Sequence, residues 1–163
     1  MGRVKGFIKE LFIGAVLIFI VSNIISYVRK PVLDSNTLAT LNVTLIDGSQ
    51  YSLKKGKLLL VHFWATWCPT CRLEASNIET VSGKYEVLTI AVNSGDNATI
   101  QTYMHDRDLH FRVVNDNKGT WARQFHVEAY PTTFIYDTKG NLRFTEVGYT
   151  STVGLLGRLK MIE

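Results

Sequence analysis

Two cysteines, the only ones in the chain, stand as Cys68-Pro69-Thr70-Cys71 directly after Phe63-Trp64-Ala65-Thr66-Trp67. A spacing of three puts them one helical turn apart, close enough for their sulfurs to bridge. Two other readings compete with a redox dithiol: an inert structural pair, and half of a zinc site. A structural zinc takes four ligands. There is no second Cys-x-x-Cys, and His62, His105, His110 and His126 show no paired ligand spacing. Haem attachment needs a histidine after the second cysteine, where this chain has Arg72. The residue types and their spacing point to thiol–disulfide chemistry, with no metal site.

Such a pair must be presented by the right elements. Residues 58–64, Leu-Leu-Leu-Val-His-Phe-Trp, read as a buried strand, and residues 72–81 read as a helix. Cys68 then sits where the helix begins. Unpaired backbone N–H groups and the helix dipole favour an anion there, which lowers the thiol pKa and makes Cys68 the attacking thiolate. Pro69 suits the first turn, because the N–H it lacks would have had no partner. Cys71, one turn deeper, is the resolving thiol.

The remaining elements alternate. Residues 41–45 and 50–53 form strands around the Asp47-Gly48 turn. Residues 54–57 form a second turn. Strands are expected at 87–92, 111–114, 132–136 and 142–147, and helices at 97–106, 119–125 and 151–161. The order predicts an α/β layered domain.

A different kind of segment precedes it. Residues 11–28 contain no charged side chain and are rich in Leu, Ile, Val and Phe, approaching the length that crosses a bilayer. The run exceeds a typical signal core and no Ala-x-Ala site follows, so an uncleaved anchor is expected. Residues 1–30 hold five Lys/Arg and one Glu, and so carry the whole formal charge of +4. Residues 31–163 hold thirteen of each sign. The domain has no basic footprint for nucleic acid, and the positive charge belongs to the membrane flank. The flanking charges favour a cytoplasmic N-terminus. The organisation expected is an anchor at 1–30, a linker at 31–39 and a domain at 40–163.

Several stretches carry a family resemblance: residues 56–61 (Gly-Lys-Leu-Leu-Leu-Val), residues 63–74 through the dithiol to Glu74, Tyr130-Pro131-Thr132-Thr133-Phe134-Ile135, and Gly140. From about residue 40 onward the chain resembles a thioredoxin-like domain. It is most similar to the membrane-anchored extracytoplasmic branch containing the TlpA, ResA, cytochrome c maturation (CcmG/DsbE) and suppressor-for-copper-sensitivity (ScsD) proteins. The anchor, the Cys-Pro-Thr-Cys site and the absence of further cysteines look most like ScsD. The cytochrome c maturation proteins usually carry a Gly-Val-x-Gly-x-Pro-Glu pattern, from which His126-Val127-Glu128-Ala129-Tyr130-Pro131-Thr132 departs.

The resemblance implies a thioredoxin fold, a central mixed sheet flanked by helices, with an added N-terminal β-hairpin after one transmembrane helix. It implies a thiol–disulfide oxidoreductase that needs no cofactor beyond the Cys68–Cys71 pair. Protein thiols and disulfides would be its substrates, with a transmembrane thiol reductase as electron donor. The place implied is the bacterial inner membrane, spanned once, with the domain in the periplasm. Pro131 resembles the family's cis-proline facing the dithiol, and Tyr130 and Trp67 line the docking site beside it. Glu74 stands where a glutamate tunes the cysteines, or it is a solvated first-turn acid. His62 stands where thioredoxins carry a buried acid. It is either a proton relay for Cys71, with a pKa near working pH, or a core imidazole satisfied by backbone. Trp64 packs beneath. Two other functions remain open: a thiol reductant for cytochrome c maturation, and a module holding Cu(I) between the two thiolates.

Overall fold

The computed structural model describes residues 9–14, 16–18, 20, 21, 24, 30, 31, 33, 35–38, 41–53 and 56–163. The chain divides into two compact units, 1–30 and 31–163. In the first, the described residues from 9 to 24 are helical. Among the described residues no helix is long and apolar enough to cross a membrane. Of the expected span 11–28, residues 15, 19, 22, 23 and 25–28 lie outside the described residues, as do Lys54 and Lys55 of the expected second turn.

The second unit runs β1 (Asn42–Thr44), β2 (Gln50–Ser52), β3 (Leu59–Trp64), α1 (Pro69–Ser82), β4 (Glu86–Val92), α2 (Asn97–His105), β5 (Arg112–Asp116), α3 (Thr120–Gln124), β6 (Thr132–Tyr136), β7 (Leu142–Val147) and α4 (Thr152–Met161). A strand apolar on both faces belongs in the middle of a layered sheet. β3 is buried at every residue, and the sheet order is β5-β4-β3-β6-β7. β3, β4 and β5 run parallel, while β6 and β7 are antiparallel additions.

Side chains along β3 alternate between the faces. Leu60 and Trp64 join one core with Ile78 and Val81 of α1, Ile100 and Met104 of α2, and Leu155 and Leu159 of α4. Leu59, Val61 and Phe63 join the other with Phe134, with Ala122 of α3, and with Val43 and Tyr51 of the hairpin. Right-handed crossovers between the parallel strands β3, β4 and β5 explain why α1 and α2 share a face. The chain steps from β3 to β4 to β5 in one direction, leaving α1 and α2 on one face. It then returns past β3 to β6, so α3 lies on the other.

The hairpin turn lies against an edge strand that would otherwise be open. The Ile46 amide donates to Val113 O at 3.0 Å, while Gln101 Nε2 donates to Ile46 O at 3.0 Å. At the opposite edge the segment read as linker is docked: the Leu38 amide donates to Gly140 O at 2.8 Å and the Leu142 amide to Asn36 O. β5 spans Arg112–Asp116, shifted slightly from the expected 111–114.

Candidate active site

At the C-terminal end of β3, parallel β4 flanks one side and antiparallel β6 the other, and the chain connections leave in opposite directions. Such a switch point is where open α/β sheets leave room for a ligand. Cys68 is the N-cap of α1, with extended backbone (φ −82°, ψ 116°) and Pro69 in the first turn. Its sulfur accepts the Cys71 amide at 3.2 Å. Cys68 and Cys71 are joined as a disulfide with a Cα–Cα distance of 5.3 Å. Both are buried, at 5% and 2% exposure. The first turn of α1 carries no acidic residue, so nothing there opposes the dipole's pull on a thiolate.

Three loops close around this pair. The Tyr130–Pro131 peptide is cis, and Cys68 Sγ lies 3.7 Å from Tyr130 O. The Trp67 and Tyr130 rings meet edge to face at 5.8 Å, and Trp67 Nε1 donates to Asn93 O at 3.0 Å. Trp67 remains 54% exposed, a flat apolar surface beside the sulfurs. Gly148, at φ +88°, donates its amide to Pro131 O at 2.8 Å, a left-handed turn that a side chain would strain. The structure thus brings Cys68, Cys71, Trp67, Tyr130 and Pro131 together. Trp64 is buried below, against Tyr103 and Phe111.

The two ionisable residues depart from expectation. Glu74 is fully buried and not a solvated first-turn acid. One oxygen accepts the Thr150 amide at 3.3 Å, while Oε2 has no partner among the described residues. Burial pushes its carboxyl up to about 8, so at neutral pH it is mostly protonated and is not the anion that would raise a neighbouring thiol's pKa. His62 alternates onto the same sheet face as Leu60 and Trp64, the face α1 covers. Its Nδ1 lies 2.9 Å from Thr133 Oγ1, its register partner on β6. Its partner is thus a hydroxyl, where the core-imidazole alternative had a backbone group. Burial pushes its pKa down to about 3, far from working pH.

Sequence reasoning missed the groups that hold these loops. Thr66 N donates to Ser94 Oγ at 3.0 Å, and Arg72 Nε to Thr66 O at 3.1 Å. Asn77 ties the loop before α4 to α1 through Thr150 O and the Thr152 hydroxyl. The signal present was Asn93-Ser94-Gly95-Asp96, a turn cluster at the end of a parallel strand. Among the described residues no group of three or more His, Cys, Asp or Glu side chains could hold a metal ion.

A profile of the AhpC/TSA family matches residues 32–145. A thioredoxin-like protein of Haemophilus influenzae is 30% identical over 164 residues, covering 96% of this chain and 97% of that protein. Sporulation thiol-disulfide oxidoreductase A of Bacillus subtilis is 30% identical over 111 residues, covering 63% of this chain and 67% of that one. The crystal structure of a thiol:disulfide interchange protein from Chlorobium tepidum superposes with a TM-score of 0.70 at 26% identity, covering 78% of this chain and 95% of that one. Proteins named ResA and DsbE match as well, as the resemblance implied. The layered mixed sheet is the thioredoxin fold.

Proposed function

The chain belongs to the AhpC/TSA family and is a thiol–disulfide oxidoreductase of the ResA and DsbE type, and we propose that Cys68 is its nucleophile and Cys71 its resolving thiol. The observation that carries this reading is the placement of Cys68. Its sulfur caps α1, accepts the Cys71 amide and faces the Tyr130 carbonyl.

In the reducing direction, the Cys68 thiolate attacks one sulfur of a substrate disulfide. A Cys68–substrate disulfide forms, the substrate S–S bond breaks, and the departing sulfur leaves as a thiolate that takes a proton from water. Cys71 loses its proton and attacks Cys68 Sγ, forming the intramolecular disulfide and freeing the second substrate thiol. The substrate gains two electrons from the dithiol and two protons, one matching the proton Cys71 gives up and one matching the proton Cys68 gave to solvent when it ionised. The first turn of α1 stabilises the Cys68 thiolate at attack, and again when a donor re-reduces the disulfide and Cys68 is released as a thiolate. Trp67 and Tyr130 supply an apolar wall for an incoming chain, and Pro131 shapes the loop beside it.

Each turnover leaves the dithiol oxidised, so a donor must return two electrons. For a domain outside the cytoplasm, a transmembrane thiol reductase fits that need. The charge-free run 11–28 with its basic flanks supports tethering to the inner membrane, domain outward. The likeness to ScsD supports a link to copper tolerance. The test of the redox reading is reduction of insulin disulfides by the full chain, which Cys68→Ala should abolish. Turnover that survives Cys68→Ala contradicts it. A reporter fused after Glu163 tests the tether and should be active only outside the cytoplasm.

A further inference from the structure

We infer that Ser94 is a positioning residue for the redox step: it fixes the loop that presents Cys68, chiefly when the disulfide is open. The inference deepens the reading of Cys68 as nucleophile and rests on it.

In the oxidised protein the S–S bond itself ties Cys68 to α1 through Cys71. Reduction removes that tie just when the geometry matters most. The free thiolate gains from the helix N-terminus only while its sulfur stays near the first-turn amides, as it does now at 3.2 Å from Cys71 N. The Arg72 amide still donates to Cys68 O at 3.2 Å and keeps that backbone on α1, but residues 65–67 must be held by other groups.

Besides the Trp67–Tyr130 ring contact, three side-chain hydrogen bonds reach that loop. Trp67 Nε1 to Asn93 O is exposed, so water competes for it. Arg72 Nε to Thr66 O is exposed too, and Arg72 belongs to α1, so this link joins loop to helix but not to the sheet. The third is of another kind. The Thr66 amide donates to Ser94 Oγ at 3.0 Å, and the Ser94 hydroxyl donates onward to Val92 O at 3.0 Å. Ser94 is only 4% exposed, and Val92 ends β4, which is paired on both sides inside the sheet.

The site needs a group that accepts from Thr66 and donates to Val92. A hydroxyl does both, and alanine does neither. Ser94→Ala leaves the Thr66 amide and the Val92 carbonyl without this partner, and such losses in a buried setting are expensive. In the oxidised form the disulfide still limits the movement. In the reduced form the loop can carry Cys68 off the helix axis, so the thiolate loses its amides. The effect is redox-selective, which a merely structural role would not produce.

The test uses the full chain, its Ser94→Ala and Ser94→Thr variants, and three readouts. These are the pH profile of Cys68 alkylation with mass-spectrometric site assignment, the dithiol–disulfide equilibrium against glutathione, and Tm in each redox state. Ser94→Ala should alkylate about tenfold more slowly at pH 6, with the profile midpoint moved upward. Its equilibrium should shift by a similar factor toward the disulfide, and its Tm loss should be larger in the reduced form. Ser94→Thr should restore all three. A profile and equilibrium within twofold of wild type, or equal Tm losses in both redox states, would overturn the inference. Should Ser94→Ala not fold, amide exchange in the wild type decides: the Thr66 N–H should stay protected after reduction, and loss of that protection would overturn it. Alkylation of the wild type at Cys71 in place of Cys68 would remove the nucleophile reading itself and this inference with it.

Discussion

The rim of the dithiol and the layer beneath it hold their polar groups differently. At the rim, Trp67, Thr66 and Gly148 meet partners of fixed complementarity: the Asn93 carbonyl, the Ser94 hydroxyl and the Pro131 carbonyl. None of these six groups titrates in the physiological range, so these three bonds do not depend on pH. Beneath, two ionisable side chains are buried with one neutral partner each, His62 on Thr133 and Glu74 on Thr150. Such groups are tolerable only uncharged, since an isolated buried charge is far costlier than a buried neutral polar group. The rim therefore sets shape, and the layer beneath sets how stability responds to protons.

The largest effect should come from the rim's own sulfurs. Cys71→Ala should lose turnover and accumulate mixed disulfides through Cys68, visible on non-reducing gels, because no thiol remains to resolve them. Cys68→Ala should lose turnover and accumulate few. Equal trapping by both variants would dissolve the distinction between the two cysteines.

Next comes the pH response of the layer beneath. Glu74 has its folded pKa raised to about 8 from 4.5, so from pH 4.5 upward the folded state holds a proton that the unfolded state has lost, and stability falls as pH rises toward 8. His62 has its folded pKa lowered to about 3 from 6.5, so below 6.5 the unfolded state binds the extra proton, and stability falls as pH drops toward 3. Between 4.5 and 6.5 the two slopes cancel. Urea midpoints of the oxidised protein should show a plateau there, with each limb falling by about 1.4 kcal/mol per pH unit per proton. Glu74→Gln should flatten the alkaline limb and extend the acid slope through the plateau up to pH 6.5, and His62→Leu should flatten the acid limb and extend the alkaline slope down to pH 4.5. If Glu74→Gln left the alkaline limb unchanged, Glu74 would not be the buried acid described.

A smaller effect separates shape from charge at the rim. Trp67→Phe keeps an aromatic face against Tyr130 and removes the bond to Asn93. Reduction of a protein disulfide should slow a few-fold, on the scale of one exposed hydrogen bond, with urea midpoints nearly unchanged. A large loss of stability would mean that Trp67 belongs to the core.

The fold was largely legible because its signals are local. The apolar run 58–64 reads as a buried strand, Cys-Pro-Thr-Cys reads as the start of the following helix, and Asp47-Gly48 marks the hairpin turn. The dithiol was legible for the same reason. Protonation was not. Residue type and helical spacing placed Glu74 one turn beyond Cys71, but they could not say that the Thr150 loop covers it. His62 could be read as a relay or as a core imidazole because its pKa in water is near neutral, and only full burial beside Thr133 decides between them. Ser94 was invisible because its role arises where the β4–α2 loop meets the β3–α1 loop, a contact that spans 28 residues of sequence.

The most direct test is site-resolved alkylation of the fully reduced full chain with substoichiometric iodoacetamide at pH 7. The label should fall on Cys68, the sulfur that caps α1, with Cys71 largely unmodified. Preferential labelling of Cys71 would contradict it.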